Sequence, residues 1–159
     1  MKCATLFVCL TLASSSIIAQ QTYFITDPQA TFKQAKEYFQ KEYYSLAYPL
    51  FKDLQSDLKE ADKSDKSLEY DDIRYYTLVC ALKQNDSSAV ADAKAFIQIE
   101  NYKARTEMLS YHLAEYYFRK QDYTAAIQLY ENASIDNLSN KEIADLKFHQ
   151  GYAYFTKKS

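Results

Sequence analysis

The stretch "LSYHLAEYYFRKQDYTAAIQLYENA", residues 109–133, decides the fold. Tyr123, Ala126, Tyr130 and Ala133 recur at gaps of three, four and three, which sets them on one face of a helix. Ahead of them Met108 to Phe118 form a second helical stretch, and the polar "RKQD" (119–122) separates the two. Asp122 suits a helix start, because its carboxylate can accept a bond from a free backbone N–H. Amphipathicity alone explains the spacing but not the choice of alanine and tyrosine. Two helices joined by a tight turn approach closely only where side chains are small. Large rings then fill the wedge beside the crossing with few rotors to freeze.

The pattern returns along the chain. Residues 146–158, "LKFHQGYAYFTKK", match residues 109–121 at an offset of 37, so that Tyr111-His112, Ala114 and Tyr117-Phe118 correspond to Phe148-His149, Gly151 and Tyr154-Phe155. Upstream, Phe32, Ala35, Tyr38-Phe39, Tyr44, Ala47 and Phe51 correspond to Tyr111, Ala114, Tyr117-Phe118, Tyr123, Ala126 and Tyr130 at an offset of 79. A helix pair repeated with a fixed small and aromatic pattern is the mark of a solenoid. One glycine and two prolines in 159 residues agree with helices joined by short polar turns. Ser87 or Ser88 is the expected cap of the helix that starts near Ala89.

These residues resemble the tetratricopeptide repeat (TPR) family, whose helix–turn–helix unit is about 34 residues long. Residues 107–138 place Ala114, Tyr117, Tyr123, Ala126, Tyr130 and Ala133 at repeat positions 8, 11, 17, 20, 24 and 27. The first unit places Ala35, Tyr38, Tyr44, Ala47, Phe51 and Leu54 there, and the last supplies Gly151 and Tyr154. The second is degenerate, with Thr77, Cys80, Asp86, Ala89 and Ala93 at positions 8, 11, 17, 20 and 24. The usual glycine of position 15 is replaced by Glu42, Gln84 and Gln121. The resemblance implies an all-α solenoid of about three and a half repeats. Its units lie near 28–58, 70–99, 107–138 and 144–159, the last incomplete. Because that unit stops after its first helix, further repeats of the same chain are expected beyond Ser159.

The first residues read differently. "MKCATLFVCLTLASSSIIA" (1–19) has one early lysine, an apolar run and a small residue at its end, as a cleaved signal peptide has. The run is shorter than the ~20 residues of a membrane span, which favours a signal over an anchor. Residues 20–27 are then a short lead to the repeat domain at 28–159. With Cys3 and Cys9 removed, Cys80 stands alone and no internal disulfide can form. The signal and repeats together resemble exported repeat proteins of Gram-negative bacteria, which implies the periplasm or cell envelope.

No phosphate loop, nucleophile elbow or metal motif occurs, and no cofactor is expected. His112 and His149 share one repeat position, but no Cys or third His joins them to complete a zinc set. Cys80 sits among apolar neighbours, without the electropositive setting of a reactive thiol. Asp71 and Asp72 are adjacent and point apart on a helix. Three Asn-x-Ser sequences matter only in a eukaryotic secretory pathway. A net charge of −2 with scattered basic residues gives no stripe for nucleic acid.

The resemblance instead implies a groove on the concave face of the first helices. Its residues would be Phe32, Arg74, Tyr111 and Phe148 at position 5, Glu115 and Tyr152 at position 9, and Phe39, Phe118 and Phe155 at position 12. The competing reading has these rings packed between adjacent repeats. The expected function is a non-enzymatic interaction scaffold that binds a peptide or protein. The alternative is an accessory component of outer-membrane assembly or glycan uptake built on the same scaffold.

Overall fold

A computed structural model describes residues 27–60 and 68–158. The expected signal at 1–19, the lead up to residue 26 and the linker at 61–67 lie outside the described residues. Among the described residues seven α-helices follow one another: α1 (Pro28–Gln40), α2 (Tyr44–Glu60), α3 (Leu68–Lys83), α4 (Ala89–Ile99), α5 (Lys103–Arg119), α6 (Tyr123–Asn132) and α7 (Asn140–Lys158). There is no strand among the described residues. The fold is all-α and solenoid-like, with α1–α2, α3–α4 and α5–α6 as antiparallel pairs and α7 stacked on the last.

The helix ends follow from local chemistry. Asp27 accepts the Gln29 N–H ahead of Pro28, a residue suited to a first helical turn. Asp122 accepts the Ala125 N–H, as its position predicts. At α4 the capping group is Asp86, which takes the Ser88 N–H and hydroxyl; neither expected serine caps the helix with its own side chain. Ser139 and Glu142 exchange bonds in a capping box, so α7 begins several residues before its first apolar position.

The crossings are made as the alanines foretell. Ala35 meets Ala47 in one cluster and Ala114 meets Ala126 in another, and all four are fully buried. Phe51 and Tyr130 fill the wedges beside them. Tyr44, Tyr38, Tyr117 and Ala133 are partly buried against the same clusters. The central helix is α5, buried continuously from Leu109 to Tyr116. Its rear residues Leu109, Leu113 and Tyr116 join Tyr75, Leu78, Leu82 and Phe96 of the preceding pair. Its front residues Tyr111 and Ala114 join Ala126, Tyr130 and Leu146 of α6 and α7.

The three helical pairs turn in one way. Glu42, Asn85 and Gln121 adopt left-handed backbone, with φ of 60°, 63° and 63°. Behind each, the next residue's N–H reaches a carbonyl five residues back: Tyr43 to Tyr38, Asp86 to Ala81, and Asp122 to Tyr117. The left-handed residue itself bonds three back, to Phe39, Leu82 and Phe118. This is the Schellman ending, in which glycine is the usual left-handed residue. The sequence alignment puts Gln84 at this position of the second pair; the structure puts Asn85 there. Asparagine tolerates the left-handed region better than glutamine, which is the physical reason for the slip.

One residue of slip rewrites the first helix of that pair. Tyr75, not Arg74, now corresponds to Phe32 and Tyr111. Leu78 replaces Thr77 at the crossing, and Leu82 corresponds to Phe39 and Phe118. The second helix keeps its alignment, with Ala89, Ala93 and Phe96 buried as Ala47, Phe51 and Leu54 are. From the left-handed residue to the buried alanine of the second helix is therefore one residue less here, although the connection itself, residues 84–88, is longer than 41–43 or 120–122.

Two stability outcomes follow. Ala126→Leu forces the rest of an isobutyl group into the fully buried α5–α6 crossing and lowers stability by ~1–3 kcal/mol, read as a drop in melting temperature. Gln121→Gly relieves the left-handed strain and raises stability by up to about 1 kcal/mol, with Asn85→Gly giving less; denaturant titration compares the two.

Candidate functional site

The residues expected to line one groove are divided by the structure. Phe32 and Phe39 pack inward: Phe32 lies edge-on to Phe51 at 6.1 Å, and Phe39 meets Tyr76 at 4.8 Å. Tyr111 is only 1% exposed. Phe118 is partly buried, with His149 stacked on it at 4.1 Å and Tyr152 edge-on at 5.8 Å. Arg74 lies on another side of α3, over the Phe96 ring at 5.1 Å, and lines a shallow cleft between α2, α3 and α4. These rings therefore serve the contacts between repeats, and a continuous open groove along the four first helices does not form.

Glu115 is also internal. Its carboxylate accepts the Tyr130 hydroxyl at 2.5 Å and faces His149 Nδ1 at 2.8 Å. One buried acid thus joins α5, α6 and α7. Burial drives the Tyr130 phenol far above its ordinary range, reinforced by the Glu115 carboxylate, so the hydroxyl stays protonated as donor.

What remains open is one face of α7. Leu146 and Ala153 are buried against the body, and His149 is half-covered by Glu115 and Phe118. On the opposite side Phe148 and Phe155 are 70% and 73% exposed. Gly151 lies between them, and a Cβ built there meets nothing within 4 Å. Tyr152 borders this face at 46% exposure, its ring turned towards Phe118 and Tyr123. Tyr154 leans back to α6, where its hydroxyl donates to Glu131. The stripe Phe148–Gly151–Phe155 has the spacing of Tyr111–Ala114–Phe118 on α5, which α6 covers.

The other polar candidates sit in separate structural settings and do not form a shared site. Arg105 is buried and bonds Glu100 at 3.1 Å and also Asp72, tying the start of α5 to α3. Burial pushes the Cys80 thiol up to about 12, far from a thiolate at neutral pH. His112 and His149 do not converge: His112 lies on the rear of α5 beside Tyr75, while His149 meets Glu115. Among the described residues no group of three or more His, Cys, Asp or Glu is placed to hold a metal ion. Nor is any described helix long and apolar enough to cross a membrane.

Residues that sequence reasoning passed over carry much of this packing. Tyr76 stacks on Phe51 at 5.1 Å and closes α3 onto α1 and α2. Tyr75, Leu82 and Phe96 are core residues of the degenerate pair. The signal that would have found them is the left-handed turn at Asn85, an Asn-Asp pair that resets the register.

His112 gives the fold a pH dependence. It is buried, and its Nδ1 has no hydrogen-bond partner among the described residues. Burial, then the nearby Lys83 and Arg119 charges, hold it well below the ordinary imidazole range. The folded chain keeps it neutral while the unfolded chain takes a proton near pH 6.5, so its contribution is intact above that pH. As pH falls below 6.5, unfolding free energy should drop by up to about 1.4 kcal/mol per pH unit from this group. Urea titrations from pH 7 to 5 measure it, and His112→Phe should flatten the slope.

Comparison of the chain with protein-family models, curated protein sequences and solved structures gives no match.

Proposed function

We propose that the chain is a non-enzymatic interaction scaffold that binds a peptide or protein partner through the exposed first-helix face of α7. The observation that carries this reading is the stripe Phe148–Gly151–Phe155, two large rings in solvent on either side of an open glycine. Isolated exposed apolar residues need no explanation, but an aligned aromatic pair on one helix face suits a docking surface. Aromatic anchors also supply most binding energy for least ordering cost. The TPR resemblance supports the same class of function, and the expected groove contracts to the part of it that solvent can reach. The apolar residues 4–12 and the small residue Ala19 support export to the periplasm or cell envelope of a Gram-negative bacterium.

Site-specific photocross-linking in the host envelope tests it. A benzophenone side chain replacing Phe155 should give a discrete protein adduct, whereas one replacing Gln34 on the polar outer side of α1 should not. Equal labelling from both positions, or none from Phe155, removes the reading. The pair Phe148→Ala with Phe155→Ala should weaken partner capture about tenfold or more and leave the helical spectrum intact. Phe118 is unsuitable for this test, because its ring is already committed to His149, Tyr123 and Tyr152.

A further inference from the structure

Three junctions lead from a second helix to the next first helix, and one of them lacks a ring. The residue that follows buried Phe51, Ala93 and Tyr130 is Lys52 on α2, Lys94 on α4 and Glu131 on α6. At two junctions this residue meets a tyrosine of the following helix. Lys94 Nζ lies 5.3 Å from the centre of the Tyr117 ring, and the Tyr154 hydroxyl donates to Glu131. The register set by Asn85 puts Ala81 at the place of Tyr117 and Tyr154. Lys52 therefore has no ring at that place on α3, and its ammonium lies over Tyr48 of its own helix, at 5.7 Å. The space left open is a cleft of about 540 Å³ between α2, α3 and α4. That size suits a small molecule.

The floor of the cleft is apolar, because Leu78, Ala81 and Ala89 line it and are buried. Its charges are divided between two ends. Arg74 stands about two helical turns before Ala81, its guanidinium over the Phe96 ring at 5.1 Å. Asp86 and Asp92 stand at the start of α4, and one Asp86 oxygen accepts both the Ser88 N–H and its hydroxyl. Among the described residues neither Lys52 nor Arg74 forms an ion pair.

We propose that this cleft binds a small aromatic carboxylate, with its ring over Ala81 beside Lys52 and its carboxylate on Arg74. The ring takes the place that Tyr117 and Tyr154 hold at the other junctions. The Lys52 ammonium then gains the kind of ring contact that Lys94 has. The carboxylate goes to the Arg74 end, because a guanidinium is a forked donor and because Asp86 and Asp92 repel it from the other. Seven residues of helix, roughly 10 Å, separate Arg74 from Ala81. A ring, a two-carbon linker and the arginine side chain together cover that span. The cleft is built without α7, so this inference stands or falls apart from the docking reading above.

The probe is 3-phenylpropanoate, titrated into the isotope-labelled chain and followed by amide shifts. Saturable shifts are expected around Thr77, Ala81 and Ala89, with none along α7. The amide 3-phenylpropanamide keeps the ring and loses the charge, and should bind weaker by about tenfold or more. The acid should lose as much against Arg74→Gln. Ala81→Tyr restores the ring found at the other junctions and should abolish binding, with circular dichroism reporting the fold. Ala81 is buried, so Arg74→Gln, at a half-buried position, keeps the test decisive if Ala81→Tyr folds poorly. Shifts that do not saturate, equal binding of acid and amide, or undiminished binding by folded Ala81→Tyr overturns the proposal. So does a peptide ending in a free phenylalanine that binds tighter than the acid by about tenfold or more, which would give the cleft to a chain end.

Discussion

The structure depends on how near two helix axes can come. Where Ala35 faces Ala47 and Ala114 faces Ala126, no side chain holds the backbones apart. That approach creates the wedges that Phe51 and Tyr130 fill, and it brings the helix ends near enough for a three-residue turn. So short a turn must reverse through one left-handed residue, and Glu42 and Gln121 accept that strain. The second pair also reverses through one left-handed residue, Asn85, but over a longer connection, residues 84–88. Leu78 is large at its crossing, so α4 supplies two small ones, Ala89 and Ala93, and Phe96 replaces the missing ring.

Charged groups in the interior fix the stacking of one pair on the next. Glu115 holds α6 through Tyr130 and faces α7 through His149. Arg105 holds Glu100 and Asp72 and so sets α5 against α3. Buried ion pairs contribute little net stability after desolvation, but removing one partner leaves a charge stranded. Apolar rings tolerate small rotations about the helix axis; these bonded acids do not.

The well-formed pairs were legible in the sequence because their packing is local. Ala114 and Ala126 are twelve residues apart and carry their own explanation. The degenerate pair was less legible because its register turns on Asn85, and nothing in the apolar pattern distinguishes Asn85 from Gln84. The groove was misread for another reason. Whether a ring on a first helix meets solvent depends on what the following helices cover, and repeat position alone does not record that. Tyr111 and Phe148 share one position, yet one is enclosed by α6 and α7 while the other stands in solvent.

Glu42 has a second role besides the turn. Its carboxylate meets Lys141 Nζ at 2.8 Å, a contact between the first turn and the start of the last helix, 99 residues away. In a simple solenoid each unit touches only its neighbours. Here the array bends until its first turn reaches α7. Both partners are largely exposed, so the pair adds little to stability and is screened by salt. The crossings between neighbouring helices are apolar and indifferent to salt. The first turn and the last helix are thus tied by a contact that added salt weakens, while the crossings inside each pair stay as they are.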